Sequence, residues 1–122
     1  MGYVRTKGLL GDGNKTRVEE VEFLADSGSF YPIIPPELAQ RLGIEPLLKV
    51  KAELVLADNR RVRVPISIAY FKLLDREGPF QLVIMDVPEP LLGVTVFEGL
   101  GIKTDPATGK LEYSRPYGLA AI

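Results

Sequence analysis

The sequence contains no cysteine and no histidine. Without cysteine there is no disulfide framework, no thiol nucleophile and no thiolate metal site. Without histidine the commonest zinc ligand sets, the Ser-His-Asp arrangement and the Cys-His pair are excluded as well. Acid–base chemistry in an enzyme built from this chain without a cofactor falls to carboxylates, lysine or tyrosine. An excess of one charge is also missing. Fifteen basic residues face sixteen acidic ones, for a net charge of −1, a balance that gives no reason to expect a nucleic acid partner. No apolar run approaches membrane-spanning length, and Met1-Gly2-Tyr3-Val4-Arg5 lacks a signal-peptide core. The expectation is a soluble cytoplasmic protein, without membrane, metal or cofactor.

The 122 residues suggest one domain, 1–122, which should bury roughly two thirds of its unfolded surface. Residues 3–10 read as a strand, and Gly11-Asp12-Gly13-Asn14 as a turn. Residues 16–25 resume as a strand in which Val21, Phe23 and Ala25 alternate with Glu20, Glu22 and Leu24. Val18 is out of step, which predicts a bulge near Glu19-Glu20. Phe30 to Ile34 reads as a short strand. Pro35-Pro36-Glu37 opens a helix over about 36–42, closed by Gly43.

Residues 47–56 alternate, with Leu48, Val50, Ala52, Leu54 and Leu56 opposite Lys49, Lys51 and Glu53. Residues 62–70 alternate too, with Val62, Val64, Ile66, Ile68 and Tyr70 on one side. Between them Ala57-Asp58-Asn59-Arg60 is a turn, so this is a long hairpin, with Pro65 at an edge or bulge. Arg60, Arg61 and Arg63 read as a solvated face. Asp75 to Pro79 reads as a loop, and Phe80 to Val87 as a central strand apolar on both faces. Pro88-Glu89-Pro90 interrupts it. Leu91-Leu92-Gly93 leads to a helical stretch from Val94 to Leu100, closed by Gly101. A final hairpin spans 103–114 around Pro106-Ala107-Thr108-Gly109, and an apolar-ended tail follows. The fold class is mainly β.

Leu24-Ala25-Asp26-Ser27-Gly28-Ser29 organises the chain. By itself Asp-Ser-Gly is a strand ending in a turn, since all three are turn formers. Its position at the end of an apolar strand stretch brings a carboxylate toward a buried environment, where it must be bonded, paired or protonated.

Taken in order, these pieces resemble the retropepsin-like aspartic proteases, in particular the small single-domain prokaryotic members. Asp26-Ser27-Gly28-Ser29 is similar to the catalytic Asp-Thr/Ser-Gly-Ala/Ser loop. Ile33-Ile34-Pro35 and Glu37 to Gly43 are similar to the strand and short helix that follow it, and Leu91-Leu92-Gly93 to the motif before the C-terminal helix. The resemblance implies a closed β-barrel-like fold with a flap hairpin, here about residues 56–61, and one or two short helices. It implies an aspartic endopeptidase in which two carboxylates activate a water. Since one such loop occurs per chain, the second carboxylate comes from Asp26 of another copy in a homodimer.

The resemblance assigns catalysis to Asp26, Ser27 and Gly28. Peptide or protein substrate is assigned to Ser29, to Ala57, Asp58, Asn59 and Arg60 of the flap, and to Pro88, Glu89, Pro90 and Leu91 of the wall. Phe30 and Val94 stand where retroviral members commonly carry an acid and an arginine that pair near the interface. An apolar contact around them is the expected replacement, with the C-terminal hairpin or tail contributing. Two other readings stand beside this one: a catalytically silent module of the same fold that dimerises or binds peptide, and an unrelated small β-barrel in which Asp-Ser-Gly is only a turn.

Overall fold

The computed structural model describes residues 4–47 and 51–116. Its elements are β1 (Val4–Asp12), β2 (Val18–Ala25), β3 (Ile33–Ile34), α1 (Pro36–Leu42), β4 (Lys51–Val55), β5 (Arg61–Leu73), β6 (Arg76–Ile84), β7 (Leu91–Leu92), α2 (Val94–Leu100), β8 (Ile102–Thr104) and β9 (Leu111–Tyr113). The main sheet runs β1-β2-β7-β3-β6-β5-β4, and a further β1–β5 pairing closes all but β4 into a ring. β8 and β9 form a separate two-stranded sheet.

Alternation along the short central strands separates two apolar clusters. Successive side chains of a strand point to opposite faces. Ile34, Leu82, Ile84 and Leu92 accordingly enter the main core with Leu10, Phe23, Phe71, Leu38, Val96 and Leu100. Their neighbours Ile33 and Val83 join Val64 and Ile66 in a second cluster, edged by the half-buried Tyr31, Leu54, Val62 and Leu91. Both helices contribute to the first cluster, whereas β4 and the start of β5 cover the second. The stretch apolar on both faces is therefore central, as its composition implies.

Both short helices keep their expected limits, and each ends on a left-handed glycine, Gly43 and Gly101. The α2 C-terminus has two arginines on its carbonyls. Arg76 donates from one nitrogen to Leu100 O, Gly101 O and Arg115 O at 2.8–3.0 Å. Arg115 donates to Glu98 O and Gly99 O. The Arg76 guanidinium lies 4.1 Å from the centroid of the Tyr113 ring, so these bonds also hold the β8–β9 hairpin. Its tip reaches the start of β1, where a Cβ built on Gly109 would lie 3.6 Å from a Val4 methyl.

Several expectations are corrected. β1 and β2 pair in unbroken register from Val4↔Ala25 to Gly11↔Val18, so no bulge forms; Val18 is simply exposed. Gly11 and Asp12 belong to β1 rather than to a turn. The turn lies beyond them because Asp12 accepts hydrogen bonds from Arg17 N, Thr16 Oγ1 and Asn14 N. Phe30 and Tyr31 are not strand; only Ile33–Ile34 is.

Asp75 to Pro79 is not a loop. Leu74 adopts φ 56°, which makes the β5–β6 turn tight and brings Arg76 to Pro79 into β6. β5 runs longer than its expected 62–70 and changes partner at Pro65, from β4 to β6. Beyond that point Ala69, Phe71 and Leu73 face the main core, and Ile68 is 39% exposed rather than inward. Leu48, Lys49 and Val50, and the tail from 117, lie outside the described residues.

Candidate active site

Asp26 follows directly from β2 and is held through its backbone. Its N–H donates to Leu92 O at 3.1 Å, and its carbonyl accepts from Ser29 N at 3.1 Å. Its Oδ1 accepts the Gly28 N–H at 2.9 Å, an Asx-type closure that orients the carboxyl from within its own turn. The residue is half-buried and Ser27 and Gly28 are exposed, so the carboxyl is less enclosed than the apolar run before it implies. The reason is local: Leu24 and Ala25 are themselves only half-buried.

The rest of the loop is sewn to the start of α2. Ser29 Oγ donates to Tyr31 O at 2.7 Å, Val94 N donates to Ser29 O at 2.9 Å, and Thr95 N to Phe30 O at 3.0 Å. Only glycine fits at 93, since a Cβ there would lie 2.4 Å from the Tyr31 carbonyl carbon. This close approach explains why Leu-Leu-Gly and the Asp-Ser-Gly loop belong together although far apart in sequence. Phe30 turns outward, 62% exposed, with its ring edge-on to Tyr31 at 5.0 Å between centroids. Thr95 Oγ1 is buried without a hydrogen-bond partner among the described residues.

The predicted wall joins the loop. Leu24 N donates to Pro90 O at 2.9 Å, and Leu91 lies in register with both Leu24 and Ile33. Glu89 receives Arg5 Nε and Nη2 at 3.0 Å each, one on either carboxylate oxygen. That guanidinium holds the Glu89 carboxyl below the usual glutamate range. Pro88 is exposed at the start of the segment.

Ala57, Asp58, Asn59 and Arg60 form the exposed tip of the β4–β5 hairpin. Its described hydrogen bonds stay within the turn: Leu56 N to Arg60 O, Asn59 N to Leu56 O, and Arg60 to the Asp58 carboxylate. The structure thus joins the 26–29 loop to the 88–91 segment through β2 and β7, and no described hydrogen bond links 57–60 to either. Sequence reasoning missed Arg5, Tyr31 and Thr95 at this site. Alternation carries a signal for Leu54 and Val62, but no sequence signal links Arg5 to Glu89.

Three other aspartates have partners elsewhere. Asp58 is paired with Arg60, Asp75 accepts the Tyr113 hydroxyl, and Asp105 closes its own turn with Ala107 N and Thr108 Oγ1. No group of three or more carboxylates able to hold a metal ion occurs among the described residues. A cavity of about 410 Å3 lies between α1 and residues 43–46. Asp26 does not line it.

The chain is similar to known proteins in family and in fold. The aspartyl protease family matches residues 9–96, which includes the Asp26 loop, the hairpin and the Leu-Leu-Gly segment. Among solved structures, the EIAV protease complexed with the inhibitor HBY-793 superposes with a TM-score of 0.63 at 18% identity, covering 85% of this chain and 93% of that one. The retroviral protease-like domain of Ddi1 from Leishmania major gives 0.58 at 15% identity, with 96% and 90% covered. A retropepsin-like aspartic protease from Rickettsia conorii gives 0.53 at 20% identity, with 85% of each chain covered. No curated protein matches the chain significantly.

The chain belongs to the aspartyl protease family. Its ring of strands with two short helices is the retropepsin-like form of that fold, so Asp-Ser-Gly is not the chance turn of an unrelated barrel. No helix among the described residues is long and apolar enough to cross a membrane.

Proposed function

We propose that the chain is one half of a homodimeric aspartic endopeptidase whose catalytic pair is Asp26 from each copy. The observation that carries this reading is the single Asp-Ser-Gly loop, fixed through its backbone to β7 and α2 while its carboxyl stays half-exposed. One carboxyl cannot act as base and acid at once. Two brought within hydrogen-bond reach share a proton, because like charges that close do not both ionise.

In this mechanism the unprotonated carboxylate takes a proton from water as the oxygen attacks the peptide carbonyl carbon. The protonated partner donates to the carbonyl oxygen, giving a tetrahedral diol. Collapse of the diol returns a proton to a carboxylate, passes one to the amide nitrogen and breaks the C–N bond. Ser27 hydrogen-bonds across the dimer axis and Gly28 admits the substrate backbone. Ser29 and 88–91 wall the cleft, and Ala57 to Arg60 close over the peptide as a flap. The exposed Phe30 and the half-buried Val94 support an apolar contact between copies beside the loop.

The test is cleavage of an unstructured polypeptide, inhibited by pepstatin, by wild type and Asp26→Asn. The expected loss is about a thousandfold or more, with the unfolding transition retained. Undiminished cleavage by the variant overturns the mechanism. A wild type that dimerises and binds peptide without cutting it is the silent module instead.

A further inference from the structure

We propose that Arg5 and Glu89 together are a specificity determinant of the cleft, and that their pairing restricts the neighbouring subsite to uncharged substrate side chains. The inference rests on the protease reading above and adds a residue, Arg5, and a selection rule to it.

The placement follows from register. Residues opposite each other in an antiparallel ladder share a face, and Arg5 lies opposite Leu24. Leu24 is level with Leu91 of the neighbouring strand, and Leu91 belongs to the second apolar cluster, away from the main core. Phe23, pointing the other way, is fully buried in the main core. Asp26 follows β2 two residues after Leu24 with its N–H on Leu92 O, and Glu89 precedes β7 two residues before Leu91 with its carboxylate on Arg5. A row Arg5–Leu24–Leu91 therefore crosses the face away from the main core beside the Asp26 loop, with Glu89 held at its Arg5 end.

The chemistry follows from the pairing. Side-chain exposures of 45% for Arg5 and 33% for Glu89 leave the pair open to an incoming peptide. Exposed ion pairs contribute little to folding, so stability gives little reason for two-pronged geometry here. A substrate charge placed against the pair would be desolvated without a free counter-charge, which is unfavourable. An uncharged side chain meets Leu24, Leu91 and the aliphatic stem of Arg5.

The two halves are not equivalent. Glu22 also acts on Arg5 electrostatically, whereas Arg5 is the charged group that acts on Glu89. Removing Arg5 therefore leaves the more isolated charge.

The test is a kcat/KM profile over peptides varied at the positions flanking the cut site. Wild type should prefer uncharged residues. Arg5→Met should raise cleavage of peptides carrying Lys or Arg at one flanking position by roughly five- to tenfold. Glu89→Gln should raise cleavage of those carrying Asp or Glu by about half that factor, because Glu22 remains near Arg5. The exchanged double variant Arg5→Glu with Glu89→Arg should restore the uncharged preference. Profiles unchanged in both single variants overturn this inference while leaving the protease reading intact, as does weaker dimerisation with an unchanged profile. A wild type that neither cuts nor binds pepstatin removes the protease reading and this one with it.

Discussion

The two faces of the central strands are equally apolar in sequence and differ in how they are covered. On one face Ile34, Leu82, Ile84 and Leu92 are sealed under α1 and α2, and the end of α2 is secured by Arg76 and Arg115. On the other, four buried residues are edged by half-buried ones under a hairpin whose tip is wholly exposed. The first face stabilises the fold. The second leaves Tyr31, Leu54, Val62 and Leu91 half-buried. Alternation in a strand sets which residues share a face; whether that face is sealed depends on what the chain later lays across it.

Paired truncations sharpen this difference most. Phe71→Ala, which removes a ring packed against Phe23 and Phe80, is expected to cost about 3–5 kcal/mol. Leu54→Ala on the half-buried face should cost about 1 kcal/mol. Urea unfolding measures both, and equal losses would mean that the faces are equally sealed. Val94→Arg probes the proposed contact between copies. A cation at an apolar contact should weaken association by about 3–5 kcal/mol, measured by sedimentation, and adding Phe30→Asp should recover part of it. Dimerisation as tight as wild type would place the interface elsewhere.

Arg76→Met addresses the sealed side. It strips carbonyls of a charged donor, with an expected cost of about 2–4 kcal/mol and faster amide exchange across 102–113. Exchange confined to wild-type rates would show that the hairpin holds without it. The smallest perturbation is ligand alone. Amides of 56–61 should exchange roughly a hundredfold faster than those of 67–73, and pepstatin should slow them. Equal rates with and without inhibitor argue against closure over substrate.

The correct expectations and the misses divide by range of interaction. Helix limits at Gly43 and Gly101, the turn at 57–60 and the Asp105 turn were legible because a few adjacent residues decide them. The supposed bulge at Glu19-Glu20 failed because the β1–β2 ladder was satisfied by exposing Val18 instead. Ile68 continues the alternation of Val62, Val64 and Ile66, but β4 no longer pairs beyond Pro65 and leaves it exposed. The Asp-Ser-Gly loop and the 88–91 segment are legible as separate motifs. Their hydrogen bonds to each other, and the Arg5–Glu89 pair 84 positions apart, are not.

By itself the sequence determined the chemistry open to this protein: with neither cysteine nor histidine, acid–base work without a cofactor falls to carboxylates, lysine or tyrosine, and its Asp-Ser-Gly loop carries one such carboxylate. It also determined the apolar periodicity that makes the fold mainly β. Only the tertiary structure decided how that carboxylate is presented. Gly93 lets the chain at Tyr31 pass within contact distance, Leu92 O fixes the Asp26 N–H, and the hairpin leaves one face half-covered. The physical reason is that local propensity acts over a few residues. Exposure is a property of what distant segments place on top, and no local pattern encodes it.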